Sequence, residues 1–398
     1  MRISKRTLSI AVSPIRKLTP YAKAAAAKGK KIYHLNIGQP DLPTPETFMK
    51  EIDTFKDKTV VYGPSQGNPD LIRAIQKYYQ EWQMDYAPDN IYITNGGSEA
   101  LSFAMMTLCD PGEEILVFEP FYANYSSFAN AYNIKLHPVA TTPESGYRLP
   151  DEAAIEAQIT DKVRAVLITN PGNPTGVVLT KDEMDLIAKV ALKHDLAIIS
   201  DEVYREYIFD GEFSSFGARE DVADQVILID SVSKRYSACG ARVGCVITKN
   251  KTLCKEFNKC CQSRLCSPEI EQLGAVGLYK TPVSYLTAAN DEYKKRCATI
   301  ARELGQIPGL ISSKPQGAFY VMVKLPVDDA EKFAIWLLEN FDVNGETVMI
   351  APGNGFYATP GKGVDEARLA YVINCEDLTR AIGLLGEGLK AYPGYTLR

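Results

Sequence analysis

From about residue 90 the chain repeats one pattern: a short, mostly apolar run, a stretch with helical spacing, then another apolar run. The runs are Ile91 to Thr94, Ile115 to Phe118, Ala165 to Thr169, Ala197 to Ser200 and Val226 to Ile229. Runs with so little polar alternation suit strands covered on both faces, the condition of a parallel sheet. Between two of them, Thr180 to His194 sets Met184, Ile187, Ala188 and Ala191 on one face, and Thr180 with Glu183 makes a capping box. That segment reads as the crossover helix that joins parallel strands. The expected fold is α/β, a mainly parallel sheet with flanking helices.

The two ends of the chain read differently. The first 45 residues hold Pro14, Pro20, Pro40, Pro43 and Pro45, which predicts an extended arm and turns. After about residue 285 a charged helix, Asp291 to Leu304, leads into Gly317-Ala-Phe-Tyr-Val-Met-Val and later Arg368-Leu-Ala-Tyr-Val, the pattern of a smaller α+β domain. The predicted division is an arm at 1–45 that joins the small domain, a large domain at 46–285, and the small C-terminal domain at 286–398.

Charge and cysteine usage narrow the partners. Lys and Arg number 44 against 49 Asp and Glu, and a net charge of -5 offers no general attraction to phosphate backbones or anionic lipid. No run approaches the ~18 apolar residues of a membrane span, and the opening MRISKRTLSIAVSPIRK breaks its apolar stretch with Ser and Pro, so a cytoplasmic protein is expected. Nine cysteines are too few and too irregular for a disulfide framework. Cys254, Cys260, Cys261 and Cys266 lack CxxC spacing, and His34, His137 and His194 have no ligand spacing, so no metal site is expected.

The chemistry concentrates after the last apolar run. Ser231-Val-Ser-Lys234 follows Val226 to Ile229, and Gly240-Ala-Arg242-Val-Gly244 comes next. An amine at a strand exit can form an imine, while two hydroxyls and a forked cation suit a phosphate. Aldehyde and phosphate on one small molecule point to pyridoxal 5'-phosphate. Asp201 ends the buried run Ala197-Ile-Ile-Ser, where an ionised carboxylate is costly unless a cation meets it; a protonated pyridine nitrogen is such a cation. Asn173 lies in a Pro/Gly-rich loop after another buried strand, where open α/β sheets bind ligands. Gly96-Gly97-Ser98-Glu99 stands at a strand-to-helix junction, where free N–H groups and the helix dipole favour a phosphate.

With these motifs in order, the chain resembles the class I/II aminotransferases, the fold-type-I pyridoxal-phosphate enzymes, and among them the aspartate-aminotransferase-like members. The likeness runs from about Leu35 to about Leu385. It rests on Tyr62 to Gly67, Gly96-Gly-Ser-Glu-Ala, Asn170-Pro-Gly-Asn-Pro-Thr-Gly, Asp201-Glu-Val-Tyr, Ser-Val-Ser-Lys234 and the late Arg368. The resemblance implies a seven-stranded-type sheet and a Schiff base between the cofactor and Lys234. It further implies that Asp201 keeps the ring nitrogen protonated, that Asn173 and Tyr204 donate to the ring oxygen, and that Tyr122 stacks on the ring. Gly97, Ser98, Glu99, Ser231, Ser233 and Arg242 would surround the phosphate, completed by Tyr62 from a neighbouring subunit of a homodimer. Arg368 would take the substrate α-carboxylate, and Gly38 would close over it from the arm.

The implied activity is a ping-pong transamination between an L-amino acid and a 2-oxo acid such as 2-oxoglutarate, with Lys234 as base. An aspartate-type donor is favoured, and Arg264 is a candidate for reaching its distal carboxylate across the dimer. Two alternatives share these motifs: β-elimination of the carbon–sulfur lyase type, and a non-catalytic module that senses pyridoxal phosphate.

Overall fold

The computed structural model describes residues 1–10, 12–312 and 314–397; Ala11 of the arm and Ser313 and Arg398 of the C-terminal part lie outside the described residues. In chain order the strands are β1 (Lys31–His34), β2 (Ile91–Thr94), β3 (Glu114–Glu119), β4 (Lys135–Ala140), β5 (Val163–Thr169), β6 (Ala197–Asp201) and β7 (Val226–Ser231). They continue with β8 (Gly244–Ile247), β9 (Ile311–Ser312), β10 (Tyr320–Lys324), β11 (Glu346–Met349), β12 (Ala351–Pro352) and β13 (Glu366–Ala370).

Seven strands form the main sheet in the order β2-β8-β7-β6-β5-β3-β4. β8 runs antiparallel to its neighbours β2 and β7, and the other pairings are parallel. The fold is therefore α/β, a mainly parallel seven-stranded sheet with flanking helices and a smaller sheet beside it. Each of the five apolar runs is a strand. The two strands they do not mark are β4, an edge strand with Lys135, His137 and Pro138 in its length, and β8, only four residues long. At its edge β4 needs no double burial, so its sequence carries little apolar signal, while β8, buried between β2 and β7, opens on Gly244 and is too short to stand out.

Both faces of the sheet are covered. Ile115 and Val117 of β3 join a core with the helix Gly96–Leu108, while Leu116 between them faces a second core built on the helix Lys181–Lys193. That second helix begins as its capping box dictates. Thr180 Oγ1 accepts from Glu183 N at 3.2 Å, and Thr180 N donates to Glu183 Oε2 at 2.8 Å.

The arm is more structured than its prolines suggest. Pro20 sits in the first turn of a helix, Thr19–Ala27, where a missing N–H costs no hydrogen bond, and β1 then pairs in parallel with β11. The charged helix is also longer than predicted, Val283–Leu304. β12, β13, β10 and β9 make an antiparallel sheet. One large apolar cluster gathers Leu18, Tyr33 and Leu35 from the start of the chain with Tyr293, Phe319, Leu369 and Leu385 from its later part.

Register aligns the chemistry. Thr169 of β5 lies opposite Asp201 of β6, and Asp201 lies opposite Ile229 of β7, so the three strands end side by side. β8 returns against this edge through Gly244, which pairs with both Thr94 and Ser231. A Cβ at Gly244 would sit 2.6 Å from the Gly96 carbonyl carbon and 2.7 Å from Gly97 N. Only glycine permits that approach, and it brings the Ser231 strand exit beside the start of the helix Gly96–Leu108.

Candidate active site

The strand ends open into a cleft of about 750 Å³. Of the residues singled out in the sequence, the cleft wall contains Gly38, Gly97, Ser98, Tyr122, Asn173, Asp201, Tyr204, Ser231, Ser233, Lys234, Arg242 and Arg368. They come from the arm, five strand ends of the main sheet and a strand of the small sheet. Lys234 is in a four-residue helix, Val232–Arg235, capped by Ser231 Oγ, which accepts from Ser233 N. The neighbour Arg235 is buried and tied to Asp230 at 2.6 Å, and Tyr207 Oη donates to Lys234 O at 3.0 Å. The backbone is thus held while the Lys234 amine stays in the cleft, donating to Gly38 O at 2.8 Å.

Asp201 is buried at the cleft floor. Its Oδ2 accepts from Tyr125 Oη at 2.6 Å, and its Oδ1 accepts weakly from Val203 N at 3.4 Å. Burial pushes its pKa up to about 6 despite those two donors. Among the described residues no cation lies within 4 Å of it. The site holds a carboxylate that a cationic ring nitrogen would relieve.

Donors suited to an anion gather on another part of the wall. The helix Gly96–Leu108 presents its N-terminus beside Ser231, Ser233 and Arg242. Arg242 has a left-handed backbone, φ 53°, and its guanidinium donates to Cys239 O at 2.9 Å and Asn95 O at 3.4 Å. A Cβ on Gly96 would meet that guanidinium at 2.6 Å, so the glycine lets the cation reach the helix start.

Arg368, on β13, is buried at 1% exposure. It donates to Asn36 O at 2.7 Å and to Asn173 Oδ1 at 3.1 Å, stands over the Tyr320 and Phe356 rings, and leaves Nε without a partner. No carboxylate among the described residues lies within 4 Å. A guanidinium held this dry and without a counterion is built to receive one. Tyr204 Oη meets Tyr320 Oη at 2.8 Å, and burial raises its pKa well above the ordinary phenol value.

Three sequence candidates lie off the wall. Glu99 turns back onto its own helix start, accepting from Asn95 N at 2.8 Å, and approaches Arg264 at 3.5 Å. Tyr62 is 79% exposed and outside this chain's cleft. Arg264 is engaged within the chain, bonding Ile93 O at 2.8 Å and Ser65 O at 3.2 Å, so it presents no open fork to a substrate of its own subunit.

Tyr125, Tyr320 and Asn36 are the residues sequence reasoning missed. Tyr125 falls three positions after Tyr122, and the helix Asn124–Tyr132 turns it toward Asp201. Tyr320 lay unmarked inside an apolar strand run. Asn36 has no motif beyond its place near Gly38.

A strand-exit lysine, a neighbouring strand-exit carboxylate and a helix N-terminus beside Arg242 meet in this one cleft. The chain matches the family of class I and II aminotransferases over residues 30–382 and belongs to it. It is 31% identical to an aspartate aminotransferase of Thermotoga maritima over 391 residues, 98% of this chain and 100% of that one. A crystal structure of a T. maritima aspartate aminotransferase superposes with a TM-score of 0.88 at 30% identity, covering 98% of this chain and 100% of the other. An alanine aminotransferase from Pyrococcus furiosus gives 0.89 at 31% identity with the same coverage. The protein is an aminotransferase of a class that works with pyridoxal 5'-phosphate.

The state of Asp201 can be measured without cofactor. With its folded pKa near 6, above the usual carboxylate value, the cost of charging it is absent near pH 4, grows as pH rises toward 6 and is complete above. Asp201→Asn should therefore raise the melting temperature of the apo-protein at pH 8 and leave it nearly unchanged at pH 4. Equal melting temperatures at pH 8 would remove the uncompensated buried charge.

Proposed function

We propose that this chain transfers the amino group of an acidic L-amino acid, aspartate foremost, to a 2-oxo acid such as 2-oxoglutarate. The observation that carries the reading is the pairing of opposite needs in one cleft: Lys234 with its amine presented, Asp201 buried without a cation, and Arg368 buried without an anion. The names of the T. maritima relatives support the aspartate-type donor.

The residues fit pyridoxal phosphate by their donor set. Ser98, Ser231, Ser233, Arg242 and the N–H groups at Gly97 would hold the phosphate, with Asp201 at the ring nitrogen and Tyr122 against the ring. Asn173 and Tyr204 would donate to the ring oxygen; the Asn173 amide orients correctly, because Arg368 occupies its oxygen and leaves its nitrogen free among the described residues. Bound there, the cofactor supplies an aldehyde carbon that takes up the amino group and a ring that draws electron density from the substrate α-carbon.

Arg368 fixes the α-carboxylate by its fork and so sets the orientation of the α-carbon. Lys234, once its amine is free, serves as the base at the α-proton, and Gly38 O accepts from that amine and keeps it aimed into the cleft. A Cβ on Gly38 would collide with the Tyr320 ring, so the arm can pass this close only as glycine. Asp201 would face the ring nitrogen and favour its protonated form.

We also assign the arm at 1–45 and residues 286–398 to one domain and 46–285 to the other, a division supported by the apolar cluster shared by the two chain ends. The free state of all nine cysteines supports a cytoplasmic placement. Val60, Val61 and Tyr62 stand exposed in sequence, which supports a homodimer in which Tyr62 completes the partner's phosphate cradle.

Borohydride treatment of the cofactor-loaded protein should attach the cofactor irreversibly to Lys234, and with 2-oxoglutarate as acceptor aspartate should lead a panel of donors. Attachment at another lysine contradicts the site. Tyr62→Ala and Lys234→Ala subunits, each impaired alone, should regain part of the activity when mixed, because one site of a hybrid dimer then carries neither defect. Hybrids verified by mass that stay inactive would return Tyr62 to its own subunit.

A further inference from the structure

We propose that Arg16 is the specificity residue that recognises the second carboxylate of a dicarboxylic substrate, an inference that rests on reading the cleft as the transamination site. Arg16 is carried on a tight turn in which Arg16 N and Lys17 N both donate to Ser13 O, at 3.0 and 2.9 Å. Every neighbour of Arg16 in that turn is engaged. Pro14 is buried, and Ile15 packs against the cluster of Ala123, Ala351 and Phe356. Lys17 pairs with Glu331 at 2.5 Å, and Leu18 is in the core. Arg16 alone is exposed; it lines the cleft and, among the described residues, makes no side-chain hydrogen bond or ion pair.

The turn is tied to the α-carboxylate site. Asn36 Nδ2 donates to Ile15 O at 3.3 Å, and Asn36 O accepts from Arg368 at 2.7 Å. One asparagine therefore connects the backbone that carries Arg16 with the guanidinium that takes the first carboxylate.

The charge inventory of the wall leaves Arg16 unassigned. Its cations are Arg16, Lys234, Arg242 and Arg368, and its carboxylate is Asp201. Lys234 serves the aldehyde, Arg242 the phosphate and Arg368 the α-carboxylate. A monocarboxylic substrate would leave the fourth cation without a function, whereas a dicarboxylic one meets it. The chain as a whole is acidic, with net charge -5, so a basic wall is a local feature and not a reflection of composition. Arg264, the other candidate for this task, is bound to Ile93 O and Ser65 O. A planar fork suits a carboxylate in bidentate geometry, and an exposed arginine gains most of its worth only when a bound substrate excludes water around it.

The test compares wild-type holoenzyme with Arg16→Gln and Arg16→Lys. Three quantities are measured: kcat/KM for L-aspartate, kcat/KM for L-alanine, and the binding of maleate followed by the cofactor's absorbance. For Arg16→Gln the expected loss is roughly ten- to hundredfold on aspartate and on maleate affinity, the range of one charge-assisted hydrogen-bonded contact, and under about threefold on alanine. Arg16→Lys should recover part of the aspartate rate, because it restores the charge without the fork. Equal losses on aspartate and alanine would make Arg16 a structural part of the turn and overturn the inference, as would an unchanged aspartate rate with unchanged maleate affinity. A wild-type enzyme inert toward every donor would instead sink the reading of the cleft itself, and this inference with it.

Discussion

Two buried ions of opposite sign, Asp201 and Arg368, have no ionic partner within the described chain, and the cleft is organised around that fact. An unpaired charge removed from water costs several kcal/mol. Here the cost is only partly offset. Tyr125 and Val203 N donate to the carboxylate, while Asn36 O, Asn173 and two aromatic faces meet the guanidinium. The remainder is available to ligands that bring the missing charge. A ring cation at the floor and a carboxylate at the wall would each gain what the empty fold gives up, which is how stability is converted into selective binding.

The surrounding structure keeps those ions from finding other partners. Nearby charges are paired off: Arg235 with Asp230 beside Lys234, Arg264 with the Ile93 and Ser65 carbonyls, and Glu99 with the Asn95 N–H. Backbone spacing does the rest. Gly244 allows β8 to lie against the Gly96-Gly97 junction, and Gly38 allows the arm to pass under Tyr320, so that groups from distant parts of the chain share one cleft.

Much of this is legible in the sequence, for a physical reason. Strands buried on both faces are mostly apolar, so the runs of β3, β5, β6 and β7, and of the fully buried β2 at one edge, stand out, and motifs placed directly after them take a position at the strand exits. Lys234, Asp201 and Asn173 are placed on the cleft wall in this way. What escaped notice obeys weaker rules. β4 is an edge strand with one half-exposed face, β8 is four residues of ordinary composition, and Pro20 reads as a helix breaker until it is placed in a first turn. Tyr125 and Tyr320 carry no mark in the sequence, because a buried tyrosine reads the same whether its hydroxyl is satisfied in the core or meets Asp201, as that of Tyr125 does, or Tyr204, as that of Tyr320 does. Arg16 lies in a proline-rich arm that gives no local sign of reaching the cleft.

The central claim is that Asp201 is held charged and unpaired for a ring cation. It is tested most directly by the affinity of the apo-protein for pyridoxal phosphate and for its analogue with C–H in place of the ring nitrogen, in wild type and in Asp201→Ala. The wild-type protein should prefer the nitrogen form by roughly tenfold or more, tenfold being about 1.4 kcal/mol, and Asp201→Ala should lose most of that preference. The same preference in both proteins would contradict the account.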